Sequence, residues 1–392
     1  MYEMYANLIR SCGDRVMFNQ SLLDEFDTNG LVQHGLPGEA YVSDAFMQLE
    51  QQHLFNHNWV FVGYAHQFVK TGDVRPIQVS GLPLFLLRDH KGEIVAFHNV
   101  CRHRNLKLVD GEGNCGKLIR CPYHSWSYDL CGALKNAPYF GGSAHSLPED
   151  FKFEDNGLMP VDCALWHDWI FVNLSPQADS FEDFLAPIKR QLGATEVTDY
   201  VPRAMLDLGE VSCNWKLLME NFIEPYHVQF VHRKTTEQPL EDHYTVADEH
   251  CLGSAVELSE EQVANAKAGT LGVTSHYLTL FPNFVMGTYQ PDQLGVHLNE
   301  PVTPDLTRQQ RVIYTHKDAH YSDAQIQELV DLWHSVHLED HEMCIRLQQG
   351  RHSPLAAAGG LLSPHWENSV RKFQQLVADA IRPGLNTKVQ HE

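Results

Sequence analysis

The 392-residue chain has no run approaching eighteen consecutive apolar residues, so no helix is expected to span a membrane. Basic residues are few: 29 Lys and Arg stand against 50 Asp and Glu. The formal charge of −21 argues against nucleic acid, whose phosphates call for basic patches. Met1 to Arg15 offers neither a long apolar core nor a small-residue cleavage site, so no secretory leader is expected. No Gly-x-Gly-x-x-Gly fingerprint follows a predicted strand, and the chain is expected to bind no nicotinamide or flavin itself. Internal repeats and low-complexity segments are also lacking. Nine cysteines, an odd number, suit a reducing cytoplasm better than a secreted disulfide scaffold, and Cys115 and Cys131 read as free thiols.

Two couplets are what the chain does have. Cys101-Arg102-His103 is followed after seventeen residues by Cys121-Pro122-Tyr123-His124. A [2Fe–2S] cluster needs two protein ligands per iron, and replacing one thiolate pair by an imidazole pair raises its potential. Two short loops that each offer one Cys and one His supply that set. The same residue types also fit a tetrahedral zinc site, although zinc fingers pair Cys with Cys and His with His rather than mixing them. Twenty-four histidines are scattered along the chain, so only spacing can select ligands.

The organisation reads as α+β. Residues 1–40 form a mixed extension ending at Gly35-Leu36-Pro37-Gly38, and a helical pattern from Ala40 to His57 has Ser43 or Asp44 as its cap. Strand-like runs at Trp59–Gly63, Val74–Val79, Leu84–Leu87 and Ile94–His98, separated by turns, and a returning strand within Asp162–Asn173 make a small antiparallel β domain over 41–174. Residues 175–392 mix helices (Phe181–Leu192, Asn214–Ile223, Asp323–Gln349, Pro364–Ile381) with five strands between Leu252 and His316. Ser322 and Gln325 fit a capping box, and Gly350 stands where a helix-ending glycine belongs. Thr235 to Asp248 has no period and reads as a loop or lid.

A second constellation lies in Asn214-Trp215-Lys216…Glu220-Asn221-Phe222-Ile223-Glu224-Pro225-Tyr226-His227…His232. Ferrous iron that activates O2 is commonly held by two His and one carboxylate. Five residues on a regular helix turn two side chains about 140° apart. His227 and His232 can therefore meet at one metal only if the helix breaks, and Pro225 supplies the break.

Together the two strings resemble the α subunits of Rieske non-haem iron oxygenases. The resemblance implies an N-terminal all-β Rieske domain followed by a C-terminal helix-grip catalytic domain. It implies a [2Fe–2S] cluster on Cys101, His103, Cys121 and His124, and Fe(II) on His227, His232 and a downstream carboxylate. That carboxylate is picked as Asp340, with Glu339 and Glu342 as competitors; nearby His334, His337 and His341 read as helix surface or as neighbours behind the ligands. Glu224 and Asn221 are the implied catalytic residues. Glu224 matches the acid that couples the metal centres of neighbouring subunits; many members carry Asp there, and Glu resembles the carnitine-like amine monooxygenases.

Further implied are a homotrimer, a separate flavin/iron–sulfur reductase or ferredoxin that brings NAD(P)H electrons indirectly, and O2 with a small-molecule substrate. The implied activity is hydroxylation or oxidative demethylation, leaning to a quaternary ammonium compound. Phe222, Tyr226, Tyr277, Phe284 and Tyr289 are candidates for its aromatic cage. The alternatives are a dioxygenase or O-demethylase acting on an aromatic acid, for which Arg203, Arg233 and Arg346 are candidate clamps, and a Rieske electron carrier. No membrane or nucleic-acid partner is expected, and the location is cytoplasmic.

Overall fold

Turns cut the stretch from Val60 to Asn173 into short strands. Ser80 and Gly81, with φ of 54° and 73°, form the tight two-residue connection between strands Asp73–Val79 and Leu82–Arg88, the geometry that matches strand twist. Gly132 turns the chain at φ 82°, where a Cβ would lie 2.5 Å from the Phe97 ring. The protein, described by a computed structural model over residues 20–28, 30–235, 239–257 and 274–385, divides into two compact units.

The smaller unit, Phe55–Ala178, holds an antiparallel sheet of strands Val60–Tyr64, Trp169–Asn173, Pro160–Trp166, Ile94–His98, Leu82–Arg88, Asp73–Val79 and Gly113–Asn114, in that spatial order. A second sheet of three short strands, Leu118–Arg120, Ser127–Asp129 and Leu134–Asn136, is also antiparallel. Phe85, Phe97, Ile119, Trp126 and Tyr128 fill its core. The expected returning strand within Asp162–Asn173 is a hairpin of two strands. The string Gly111-Glu112-Gly113-Asn114-Cys115-Gly116 has dinucleotide-motif spacing, yet it runs along an edge strand into another strand with no helix behind it.

The larger unit carries a seven-stranded antiparallel sheet ordered Tyr200–Val211, Leu306–His316, Gln293–Thr303, Phe284–Tyr289, Thr274–Leu280, Cys251–Glu257, His243–Asp248. Its helices are α1 (Glu39–Val42), α2 (Asp44–Leu49), α3 (Phe181–Leu192), α4 (Trp215–Ile223), α5 (Val228–Val231), α6 (Asp323–Arg351) and α7 (Asn368–Leu385). Helices α4, α6 and α7 pack on the sheet, and the core lies between them. Ser43 caps α2, and the Ser322–Gln325 capping box starts α6.

Several expectations are corrected. The described residues up to Leu54 belong with the larger unit, rather than with a separate 1–40 extension and a β domain starting at 41. Leu36 N donates to Gln374 Oε1 (3.0 Å), and Asn214 Nδ2 donates to the Tyr41 carbonyl (3.2 Å). The smaller unit also runs to Ala178 rather than to 174.

His243–Asp248 is an edge strand, not part of a loop; residues 236–238 lie outside the described residues. Tyr200–Val211 was not anticipated as a strand, because register shifts at Pro202/Ala204 and Asp207/Gly209 break its alternation. Gly350 lies inside α6, and α7 runs through Pro383 because its buried stripe (Phe373, Val377, Ile381, Leu385) continues past it. Among the described residues, no helix is long and apolar enough to cross a membrane.

Candidate metal centres

Both couplet loops close in the same way. Cys101 N donates to the Leu106 carbonyl (2.8 Å) and Asn105 N to the Cys101 carbonyl (3.0 Å); Cys121 N donates to Trp126 O (2.8 Å) and Ser125 N to Cys121 O (3.0 Å). Asn105 and Ser125 both take φ 59°, the left-handed turn that bends each loop back. Both thiols are buried, Cys101 at 3.3 Å from the Tyr128 hydroxyl. Burial pushes the Cys101 thiol up against the Tyr128 hydrogen bond, and the Cys121 thiol beside it adds to the rise.

The His103 and His124 rings lie 4.6 Å apart, and Trp126 stacks on His103 at 5.0 Å. Burial, then His124 and Arg104, hold His103 below the ordinary imidazole value. The Nδ1 atoms of both histidines are buried with no hydrogen-bond partner, an arrangement that a metal relieves.

A single zinc fits poorly. Among the described residues, the donor groups whose atoms all lie within 4.8 Å of one another are His227/His232/Asp340 and Asp89/His90/Cys131, and the four couplet side chains form no such group. Bonds of about 2.0–2.3 Å to one tetrahedral ion would need them closer, whereas two bridged irons separate a thiol pair from an imidazole pair. Asp89, His90 and Cys131 sit on two turns of the smaller unit, where Asp89 Oδ1 already accepts from Lys91 N and Glu93 N. All the described cysteines are free thiols, Cys115 and Cys131 included.

In the larger unit, Asn214 caps α4 by accepting from Lys216 N (3.0 Å). The helix stops at Glu224, extended at φ −112°, ψ 139°, as the following Pro225 requires. His227 then opens α5 and His232 closes it, which brings the rings to 5.3 Å. Asp340 on α6 places Oδ1 3.0 Å from His232 Nε2 and 3.6 Å from His227 Nε2. That oxygen is buried without a hydrogen bond, so all three donor atoms converge on one point that a metal would satisfy.

Both outer ring nitrogens are held: His227 Nδ1 by Glu224 Oε1 (2.5 Å) and His232 Nδ1 by Glu339 Oε2 (2.8 Å). Glu339 also accepts from Thr235 Oγ1 (2.9 Å), so this rival for the ligand role stands behind a histidine instead. Glu342 pairs with exposed Arg346 on the outside of α6. Burial lowers His232, but Asp340 and Glu339 outweigh it and hold the imidazole up at about 9 without metal.

The triad opens on a cavity of about 190 Å³. Asn221, Glu224, Phe222, Tyr277 and Tyr289 line it, whereas Tyr226 is 43% exposed and Phe284 belongs to the core. Trp333, Val336, His337 and Asp340 share one stripe of α6, at the spacing of a single helix face. His337 and His341 are thus buried against the sheet, while His334 is exposed. No expected arginine lines the cavity: Arg203 donates to Thr315 Oγ1, and Arg346 pairs with Glu342. Arg311 lines it instead, and nothing in its sequence neighbourhood marks it.

Burial, reinforced by Arg311 and neighbouring histidines, drives His297 and His337 well below 6.5. The unfolded chain takes up these protons first as pH falls, so stability drops below about 6.5 and rises with pH above the folded values. We expect an acid slope of about 1.4 kcal/mol per pH unit for each histidine, read from denaturant unfolding between about pH 6.5 and 5. His297→Asn should remove one histidine's share of the slope and leave that of His337; a flat wild-type profile would count against neutral histidines here.

Residues 58–148 match the family described as the Rieske [2Fe-2S] domain, and residues 193–382 match the ring hydroxylating alpha subunit (catalytic domain). The glycine betaine monooxygenase oxygenase subunit of Chromohalobacter salexigens is 34% identical over 53% of this chain and 45% of its own. The match therefore spans less than half of that relative's length. The chloroplastic choline monooxygenase of Beta vulgaris is 26% identical over 88% of this chain and 77% of its own. A solved quaternary ammonium Rieske monooxygenase in complex with L-carnitine shares the fold, with TM-score 0.74 and 22% identity over 90% of this chain and 96% of that one. With one family match on each unit, the chain carries a Rieske [2Fe-2S] domain followed by a ring-hydroxylating alpha-subunit catalytic domain.

Proposed function

We propose that the protein is the terminal oxygenase component of a Rieske system. Electrons come from a separate reductase or ferredoxin, and O2 is used to hydroxylate or oxidatively demethylate a small organic substrate, a quaternary ammonium compound being the favoured class. The observation that carries this reading is the convergence of His227, His232 and Asp340 at a cavity wall, in a chain that also has two buried thiols and two half-buried imidazoles whose Nδ1 atoms are buried without a partner.

Cys101, Cys121, His103 and His124 would hold the cluster; His227, His232 and Asp340 would hold Fe(II). When bound, the cluster supplies single electrons and the ferrous ion supplies open positions for O2. Glu224 and Glu339 keep the Nδ1 protons of His227 and His232 on the outside, so both Nε2 lone pairs face the metal position. Phe222 and Tyr277 give the cavity aromatic faces that suit an N-methylated cation. Asn221 and Glu224 line the same space.

The reading includes a homotrimer in which Glu224 of one protomer meets His124 of the partner subunit. A solved quaternary ammonium Rieske monooxygenase is described as revealing inter-subunit electron transfer, which supports that arrangement. A cytoplasmic location fits the free thiols.

Metal analysis, visible spectroscopy and turnover test the proposal together. Purified protein should be brown, with about three irons and two acid-labile sulfides per chain, two irons in the cluster and one outside it. With a surrogate reductase it should convert O2 and an N-methylated ammonium compound to a hydroxylated or demethylated product. Colourless protein with zinc bound to the couplets would overturn the reading.

A further inference from the structure

We infer that the cavity carries an anion subsite at Arg311, and that the substrate is a small carboxylate whose acid group this guanidinium holds while its reacting end faces His227, His232 and Asp340. The inference rests on the oxygenase reading and narrows its substrate.

Arg311 stands on the strand Leu306–His316, is 1% exposed and lines the cavity. Its guanidinium carbon lies 3.7 Å from the Trp333 ring centroid and 5.2 Å from that of Tyr289. His337 Nε2 lies 3.4 Å from Nη1. Gly295 on the adjoining strand makes the space, because a Cβ there would come within 2.5 Å of Nη2. These close contacts hold the fork in place, and a fixed, permanently charged fork matches a carboxylate in a way that no neutral wall does.

The same charge disfavours an ammonium group at that end. A zwitterion therefore places its cation towards Phe222 and Tyr277, whose centroids are 6.1 Å apart. Trp333 beneath the guanidinium and Asp340 at the metal position are seven residues apart on α6, roughly 10 Å along its axis. Acid group and reacting end thus fall within the reach of one small molecule.

Calorimetric titration of the iron-loaded oxygenase, without reductant, with matched acid and alcohol pairs tests this. The pairs are glycine betaine against choline and benzoate against benzyl alcohol. In at least one pair the acid should bind about 10- to 100-fold tighter than its alcohol, the range for a hydrogen-bonded charge. The pair that shows the preference tells a zwitterionic from an aromatic acid. Arg311→Gln should bring the ratio close to one, and Arg311→Lys should retain part of it, with the cluster spectrum as the check on folding.

No acid preference in either pair overturns the subsite, and so does a ratio that survives in folded Arg311→Gln. Should that variant fail to fold, the wild-type ratios decide. Brown protein with about three irons that turns over but lacks acid preference loses the subsite and keeps the oxygenase assignment. Colourless zinc protein loses the assignment itself.

Discussion

Alanine in place of Asp340 should remove about one iron in three and take product formation to background, while the visible spectrum stays unchanged. The reason is geometric. Asp340 Oδ1 sits 3.0 and 3.6 Å from the two histidine Nε2 atoms with no hydrogen bond of its own, so its removal leaves two imidazoles to hold a ferrous ion. The thiols and imidazoles of the smaller unit are separate from this triad, which is why the colour should survive.

A graded control distinguishes ligand from support. Glu339→Gln keeps the three converging donors and weakens only the hold on His232 Nδ1, so iron affinity should fall by about 10- to 100-fold instead of vanishing. Retained iron and turnover in Asp340→Ala, with both lost in Glu339→Gln, would exchange the two roles.

Much of this site could be read from spacing. The mixed couplets, and a proline placed to break a helix before two histidines five residues apart, are local signals that the observed loops match. The helices α3, α4 and α6 and five of the sheet strands were legible for the same reason, through unbroken periodicity and caps.

What escaped was non-local. The strand Tyr200–Val211 hides its alternation behind two register shifts, and Glu339 is told from Asp340 only by which side of α6 meets His232. Arg311 gave no warning because its setting comes from three separate segments: Trp333 on α6, Tyr289 two strands away, and the gap at Gly295. The boundary near residue 41 failed similarly, since residues 41–54 join the larger unit through polar contacts at long sequence separation.

Those contacts carry the second large effect: Glu50→Ala should cost about 3–5 kcal/mol of stability, the range for removing one partner of a buried ion pair. Glu50 and Lys216 are 1% and 0% exposed, with Nζ 2.6 Å from Oε1 and Trp215 Nε1 donating to Oε2 at 3.2 Å. Burial raises Glu50 and lowers Lys216, and each partner opposes the shift of the other, so the pair is held together against a desolvation cost that either ion alone could not meet.

Against a typical domain stability of about 5–15 kcal/mol, such a loss removes a large share. Lys216 lies on α4, the helix that leads directly to Glu224 and His227, so the loosened variant should also bind the non-cluster iron more weakly. Replacing both partners, Glu50→Leu with Lys216→Met, removes the stranded charge and should recover most of the stability, because apolar side chains of similar size pack where an ion pair stood. Denaturant unfolding of the wild type, both single variants and the double variant measures this. A single-variant loss under about 1 kcal/mol, or a double variant no better than the sum of the singles, would mean that water or another partner already serves Lys216.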